Sequence, residues 1–567
     1  VILDLVLKEW LKIHWRETLG IVLLLFAFFF THRFFFLPGD FRTHDGVHFI
    51  RLYDLDKVLR EGQFPPRWLS DMGKGYGYPF FNFYPPFAYF VGEIFHFLGF
   101  SFTVANKLSF ALAGASGILG MFIFIKYLFS AEIGVLVSFL WAFLPYRAVD
   151  LYVRGSLAEY WGMNWLPWIF YFLVKFLKGR EKRDLIKFIL VLTILLLTHN
   201  VVSLLTVLWL GGLLLFYFIF GERKDRDKKL LLLILLAFVL SLGLAAFFIF
   251  PALSEKKFTS INTMTSGYYA FYNHFPSFYQ LFFSRFWGYG GSNFGAQNDK
   301  MSFQIGYLHW ILPFVSLFVL SWQFLVKKKR NREILLGVFF VFSFWLFAFL
   351  SHQRSVFIWE IIVPLQLLQF SWRFLIFIGF SGAIATAFVF YQLNKLSVKV
   401  RYGLYFLLIV LTVALNYSYF QPRAVDLISD KDYLSGDLWQ YLQREFMTDY
   451  LPVDVQEIPE EYYHSPLILS EEKVEMLIDQ ADKISFKVNA KGNNKEALVK
   501  RFYFPGWQAE VNGKPKEILT NKNGFIVIKL YEGENGVDVS LKNTPLRRWS
   551  NIISLISLGI LGFLILC

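Results

Sequence analysis

Residues 38–89 read PGDFRTHDGVHFIRLYDLDKVLREGQFPPRWLSDMGKGYGYPFFNFYPPFAY, and this stretch decides how the rest of the chain is read. Directly before it, residues 19–37 form an almost uncharged apolar run, long enough to cross a bilayer. Carboxylates, arginines and a turn rich in Gly, Tyr and Pro then follow at once. Polar groups ordered beside a membrane are costly, so a chain that concentrates them there marks a site. A substrate living at the membrane surface is the natural client.

Working outward, composition fixes the class. Of 567 residues, 56% are apolar and 69 are Phe, while 17% are charged. This is the profile of an integral membrane protein. The single cysteine, Cys567, excludes an intrachain disulfide and a Cys-based metal site. Neither CxxC nor HExxH occurs, which removes the commonest zinc patterns. The net charge of +13 would suggest nucleic acid if it were spread over a face. It lies instead in short basic loops between apolar spans, so no nucleic-acid partner is expected.

Those loops set the topology. Residues 178–184, 222–229, 327–333 and 395–401, together with Lys8, Lys12 and Arg16, should be cytoplasmic by the positive-inside rule. Threading between them predicts about twelve spans: 19–37, 104–127, 131–147, 157–177, 185–199, 201–220, 230–251, 302–325, 334–351, 373–392, 402–420 and 549–567. The first is expected to be a retained span and not a cleaved leader. Residues 84–100, with a double proline, Glu93 and His96, suit a surface-lying or re-entrant helix. The loops 38–103, 145–157, 252–301 and 351–373 then all face the extracytoplasmic side, and the last should hold another surface helix.

A drop in hydrophobicity marks 421–548 as a soluble extracytoplasmic domain, ahead of a final span at 549–567; residues 1–420 form the transmembrane domain. Period-two alternation at 484–488, 499–503, 525–530 and 537–541, with Asn512-Gly513 and Asn523-Gly524 turns, predicts antiparallel strands in a small sandwich able to fold alone. The fold class is thus an α-helical polytopic membrane protein with an extracytoplasmic β-rich domain.

Within the opening stretch, Thr43 can cap a helix from His44 to Glu61 that Gly62 stops. His44, Asp45 and His48 would share one turn, with Arg51 one turn on. Asp45 near a helix start suits a general base towards a hydroxyl, and equally suits the positive helix end. Downstream, Tyr76, Tyr78, Tyr84 and Trp68 offer flat amphipathic rings beside Arg67, Asp71 and Asn82. That set suits a sugar ring and its phosphate, or an interfacial aromatic belt. Arg147, Arg154, Arg354 and Arg373 lie in loops on the same side, and a guanidinium fork matches a phosphate. Arg154 with Glu159 can also be a structural pair, and Arg373 a span anchor. His199 and Asn200 end a span, as a bend or as a substrate contact.

The run THDGVHFIRLYDLDKVLREGQFPPRWLSDMGKGYGYPFFNFYPP resembles the signature of the bacterial and archaeal membrane family labelled 6-pyruvoyl-tetrahydropterin synthase-related, a label that implies no pterin chemistry here. PYRAVDLYVRGSLAEYW, LLLTHN and QLLQFSWRFL fit the same pattern. YFPGWQAEVNGKP and TPLRRW are similar to the carboxy-terminal end of such proteins and of YfhO-like membrane glycosyltransferases. The resemblance covers nearly the whole chain and implies the architecture of the GT-C superfamily.

That resemblance implies an enzyme that moves a sugar from a polyprenyl-phosphate carrier to an extracytoplasmic glycan, lipid or protein acceptor at the plasma or inner membrane. Asp45 matches the position of the catalytic acid in the first outer loop. Asp150, with Glu159 as its substitute, matches the second carboxylate. The implied reaction is one inverting displacement, with Asp45 as base and arginines at the leaving phosphate. Metal-dependent members carry Asp-x-Asp, where this loop has His44-Asp45 and, farther on, Asp54-Leu55-Asp56. No cofactor and no metal ligand is assigned, and a divalent metal is left open. Two other readings stay open: a lipid-linked oligosaccharide flippase or transporter, and a non-catalytic glycan-binding membrane protein. Span centres nearly free of charge favour the enzyme over the transporter.

Overall fold

The computed structural model describes residues 18–221, 227–292, 300–329, 331–445, 447–468, 474–491 and 495–567. Lys8, Lys12, Arg16, the basic loop at 222–226 and residues 293–299 of the loop 252–301 lie outside them. Among the described residues, eight helices are long and apolar enough to cross a membrane, and ten if each of two bent pairs is one span. Twelve were expected. The two outside that set, 157–177 and 185–199, are the helices Leu157–Gly179 and Lys182–Leu196. The first carries Glu159 and Asn164 on its buried side. The second has 15 residues, or about 22 Å at 1.5 Å per residue, short of a hydrocarbon core of about 30 Å.

By packing, the chain divides into two units. The first comprises residues up to Gly46, Lys107–Val239 and Gly267–Leu427. It is a helix bundle whose axis is the helix Leu375–Gln392, buried along nearly its whole length. Trp209 is the packing centre, with Phe170, Phe340, Phe347, Phe377 and Phe380 rings 4.7–5.9 Å from its own. Its Nε1 donates to Ser343 Oγ at 2.8 Å, which supplies the hydrogen bond that a buried indole requires.

The second unit comprises Val47–Asn106, Leu240–Ser266 and Ile428–Cys567. Its strands are β1 (Leu467–Ile468), β2 (Val474–Asp479), β3 (Lys483–Ala490), β4 (Glu496–Phe502), β5 (Trp507–Val511), β6 (Lys514–Lys516), β7 (Leu519–Thr520), β8 (Phe525–Lys529) and β9 (Gly533–Leu541). They form a four-stranded sheet, order β1-β4-β8-β7, and a five-stranded sheet, order β2-β3-β9-β5-β6. Every pairing is antiparallel. The β5–β6 hairpin turns on Asn512 and Gly513, both at positive φ, the pair of conformations a two-residue hairpin loop needs.

This unit is larger than the expected 421–548 domain, because the first loop fills its core. Tyr76 and Tyr78 are 1% exposed. The Tyr76 carbonyl accepts from Phe502 N–H at 3.0 Å, and its ring lies 4.7 Å from Phe525. Tyr78 Oη accepts from Tyr450 N–H at 2.6 Å. Gly77 between them has φ +93°, and a Cβ there would stand 2.3 Å from Trp68 Nε1. Asp54 fastens the turn by accepting from Asp71 N–H at 2.9 Å.

The expected helix from His44 to Glu61 starts later, at His48, and runs to Arg60. The amides of His44 and Asp45 are committed to the carbonyls of Val153 and Arg154, and residues 44–47 form a turn ahead of the helix. Residues 87–97 form an 11-residue helix, about 16 Å long and too short to span. The surface helix expected in 351–373 is two short helices, Val356–Ile361 and Val363–Gln366, broken before Pro364.

Candidate functional site

In the first unit, five of the expected residues converge: Asp45, Asp150, Arg154, Glu159 and Arg373, with His199 beside them. Pro145 opens a helical turn through Ala148, and the backbone then widens into a π-helical turn over Val149–Arg154. Such widened turns recur at functional sites. This one sets Asp150 and Arg154 one above the other, and Arg154 Nη1 donates to Asp150 Oδ1 at 2.6 Å. Gly155 stops the turn at φ +63°. A Cβ on Gly155 would lie 2.1 Å from Thr43 Oγ1, so only glycine lets the turn close on the first loop.

Glu159, one turn into the next helix, is fully buried and shared. Arg154 Nη1 lies 2.7 Å from its Oε1, and Tyr146 Oη donates to the same oxygen at 2.6 Å. Arg373 Nε donates to Oε2 at 3.2 Å. His199 Nδ1 accepts from Val202 N–H at 3.2 Å, which puts the ring proton on Nε2, 3.8 Å from Glu159 Oε2. Burying these ions is tolerable only because each is paired and hydrogen-bonded. The carboxylate expected as a catalytic group is thus the counter-ion that holds two guanidiniums. Asp150 is the second counter-ion, with Oδ2 buried and without a hydrogen-bond partner among the described residues.

Aromatic faces complete the support. The Arg154 guanidinium lies 4.8 Å over Trp372 and that of Arg373 4.9 Å over Phe370. The two rings stack on each other at 4.7 Å. Cation–π contact of this kind adds to pairing in a desolvated place. Arg373 Nη1 donates to the Leu368 carbonyl at 2.6 Å and to Gln369 Oε1 at 3.1 Å. Among the described residues, Nη2 of neither arginine forms a hydrogen bond, so each keeps one donor edge unpaired.

Asp45 differs from the other two acids. Its amide donates to the Arg154 carbonyl at 2.8 Å and the His44 amide to the Val153 carbonyl at 3.0 Å. It is half-buried, and its carboxylate makes no hydrogen bond or ion pair among the described residues. His44 Nε2 donates to the Tyr289 carbonyl at 3.1 Å. Burial holds the His44 imidazole below its usual pKa, opposed by that carbonyl, so its Nδ1 is an acceptor.

The remaining expected residues lie elsewhere. Arg147 is fully buried and turns away, donating to Tyr160 Oη at 2.7 Å and to Asn164; Tyr160 in turn meets His32 Nε2 at 2.8 Å. It braces the bundle and is closed to a substrate. Arg354 is exposed in the turn Gln353–Ser355, and among the described residues it makes no hydrogen bond to the cluster. Asn200 begins the helix that His199 caps. In the second unit, His48 Nδ1 and Tyr89 Oη lie 2.9 Å apart, and Arg51 Nη1 donates to the same hydroxyl at 3.1 Å. The Arg51 guanidinium rests 4.5 Å over Phe80 and 5.1 Å over Tyr84.

Arg67 and Asn82 are buried in a chain of polar contacts. Arg67 donates to Asn82 Oδ1 at 3.0 Å, Asn82 to Glu255 Oε2 at 2.8 Å, and Arg547 Nη2 to the same oxygen at 2.9 Å. Tyr76, Tyr78, Arg67 and Asn82 are therefore structural and not an open sugar platform. Their aromatic and amphipathic character was visible in sequence, but their partners lie far along the chain. Sequence reasoning missed Tyr146, Trp372 and Phe370, although the motifs PYRAVD and QLLQFSWRFL contain them. Among the described residues, no three His, Cys, Asp or Glu side chains converge to hold a metal.

Comparison with known proteins adds the following. A relative, an uncharacterized protein of Lactococcus lactis subsp. cremoris strain MG1363, is 23% identical over 350 residues, covering 57% of this chain and 52% of its own. The chain thus spans about half the length of that relative. Among solved structures, ArnT from Cupriavidus metallidurans bound to undecaprenyl phosphate is 14% identical with a TM-score of 0.40, over 71% of this chain and 64% of that one. The archaeal oligosaccharyltransferase AglB from Archaeoglobus fulgidus, in complex with an inhibitory peptide and a dolichol-phosphate, is 13% identical with a TM-score of 0.47, over 81% and 62%. The family profile described as "6-pyruvoyl-tetrahydropterin synthase related domain; membrane protein" matches residues 81–424, more than half of the sequence, and the chain belongs to that family.

Proposed function

We propose that this protein is a membrane glycosyltransferase of the GT-C type, moving a sugar from a polyprenyl-phosphate carrier to an extracytoplasmic acceptor. The observation that carries the reading is one uncommitted carboxylate, Asp45, clasped by its backbone to Arg154, whose guanidinium and that of Arg373 are held by Glu159. An acceptor hydroxyl would lose its proton to Asp45 while its oxygen forms a bond to the sugar's anomeric carbon. The bond from that carbon to the lipid phosphate breaks, and the phosphate leaves with the electron pair. The open Nη2 edges of Arg154 and Arg373 would meet that developing charge, where preorganised donors count most. His44 Nδ1 is a candidate acceptor for a sugar or acceptor hydroxyl.

On this reading the cluster faces the extracytoplasmic side of the plasma or inner membrane, as the basic loops require on the other. Glycan, lipid or protein can serve as acceptor. The test is a turnover assay with purified protein and polyprenyl-phosphate-linked sugars. Consumption of the lipid-linked sugar with release of polyprenyl phosphate is expected, and Asp45→Asn should stop it. Wild-type protein that binds the carrier yet moves it intact across a proteoliposome membrane would overturn the reading in favour of a flippase.

A further inference from the structure

His274 is a buried histidine in the first unit that the reaction above does not use. It is 3% exposed, and both of its ring nitrogens are engaged. Nε2 donates to the Tyr268 carbonyl, and Nδ1 lies 2.7 Å from Ser292 Oγ. Ser292 Oγ in turn accepts from Trp372 Nε1 at 3.2 Å.

The chemistry of these groups fixes every proton in the chain. An indole N–H can only donate, and a carbonyl can only accept. The imidazole therefore carries its proton on Nε2, and the Ser292 hydroxyl donates to Nδ1. The neutral ring satisfies the whole chain, whereas a second proton on Nδ1 would leave the Ser292 hydroxyl hydrogen facing a donor. Burial lowers the imidazole pKa, the hydrogen bond to the Tyr268 carbonyl opposes this, and the Arg373 charge adds to the lowering. A buried polar chain with every member satisfied specifies one geometry.

What it specifies is the Trp372 ring. The Arg154 guanidinium lies 4.8 Å over that ring, which stacks on Phe370, the ring beneath Arg373. His274 also meets Phe370 edge to face at 4.6 Å, and its carbonyl accepts from Ser371 Oγ at 2.8 Å. One histidine thus fixes both aromatic faces on which the two arginines rest. Packing alone would need neither a hydroxyl relay nor a fixed tautomer.

We propose that His274, through Ser292 and Trp372, is a positioning residue that sets the angle at which Arg154 and Arg373 meet the phosphate of the lipid-linked donor. This rests on the glycosyltransferase reading above. His274 acts by holding the indole, not by touching the substrate.

The experiment measures affinity of the full-length protein, in nanodiscs, for undecaprenyl phosphate. His274→Phe keeps a ring and loses the acceptor, whereas His274→Asn loses volume and keeps an acceptor, Oδ1, at the place of Nδ1. Affinity should fall roughly tenfold in His274→Phe and in Ser292→Ala, and stay within about threefold of wild type in His274→Asn. His274→Phe added to Ser292→Ala should cost no more than about twofold further, because the relay is already broken. A histidine that merely fills space would reverse the order, with His274→Asn the weaker binder, and would give additive losses in the double variant. Either result, or wild-type affinity in both single variants His274→Phe and Ser292→Ala, overturns the proposal alone. Wild type that binds no undecaprenyl phosphate overturns the glycosyltransferase reading with it.

Discussion

The backbone amide of Asp45 donates to the carbonyl of Arg154 at 2.8 Å. The proposed base and a proposed phosphate ligand therefore share a single clasp, so a shift in one carries the other. The assignment of the base follows from what the clasp leaves uncommitted. Asp150 and Glu159 each neutralise an arginine, whereas the Asp45 carboxylate has no partner among the described residues.

Asp45→Asn keeps shape and most hydrogen bonding but cannot take a proton. Sugar transfer should fall on the order of 10²–10⁴ fold, with carrier binding and membrane insertion unchanged. The measurement is single-turnover transfer beside a carrier-binding isotherm. Transfer at the wild-type rate would sink the assignment.

Glu159→Gln should act on stability before it acts on rate. It would leave Arg154 and Arg373 buried without their shared carboxylate, a change that costs about 3–5 kcal/mol. A marked drop in melting temperature is expected, larger than for Asp150→Asn, after which Arg154 still has Glu159. Equal effects of the two variants would contradict the shared-counter-ion geometry.

Gly155→Ala tests the clasp itself. Its Cβ would collide with Thr43 Oγ1, 2.1 Å away, at a backbone conformation that favours glycine. We expect a loss in kcat together with weaker carrier binding, since Arg154 shares the clasp, and partial recovery of both when Thr43→Gly is added. No recovery would mean that the backbone conformation, not the Thr43 contact, is decisive.

Glu93 supplies a pH dependence. Burial, with the nearby Asp56 charge adding to it, raises its carboxyl to about 7 from 4.5, and Oε2 has no hydrogen-bond partner among the described residues. A carboxyl raised in the folded state contributes stability that is fully present below pH 4.5 and lost as pH rises through about 7. Glu93→Gln should therefore melt higher than wild type at pH 8 and show no such advantage near pH 4.5. A constant difference across that range would refute it.

Much of this was legible in the chain. The span before Pro38, the Asn512-Gly513 hairpin and the alternating strands follow from periodicity and turn chemistry, which are local. Asp45, Arg154 and Arg373 were also named from position and residue type. What sequence could not give was which acid is free, because pairing depends on where Arg154 reaches after the π-helical turn. Tyr76 and Tyr78 read as exposed platforms for the same reason. Nothing nearby hints that their neighbours are Phe525 and Tyr450. The Asn82–Glu255–Arg547 contacts join three segments remote in sequence, and no local pattern reports such a bracket.

The seam between the first loop and the strands has a consequence for biosynthesis. Arg501 Nη1 reaches the Gly75 carbonyl across 426 positions. A chain made from its amino end exposes Tyr76 long before Phe502 of β4 and Phe525 of β8 exist to cover it. Contacts so distant in sequence form late, so this loop must wait, greasy and unpaired, until the last strands have been translated. A ribosome stalled ahead of residue 496 would leave a nascent chain whose most polar-looking loop is its stickiest part, and quality-control proteases should find it there first.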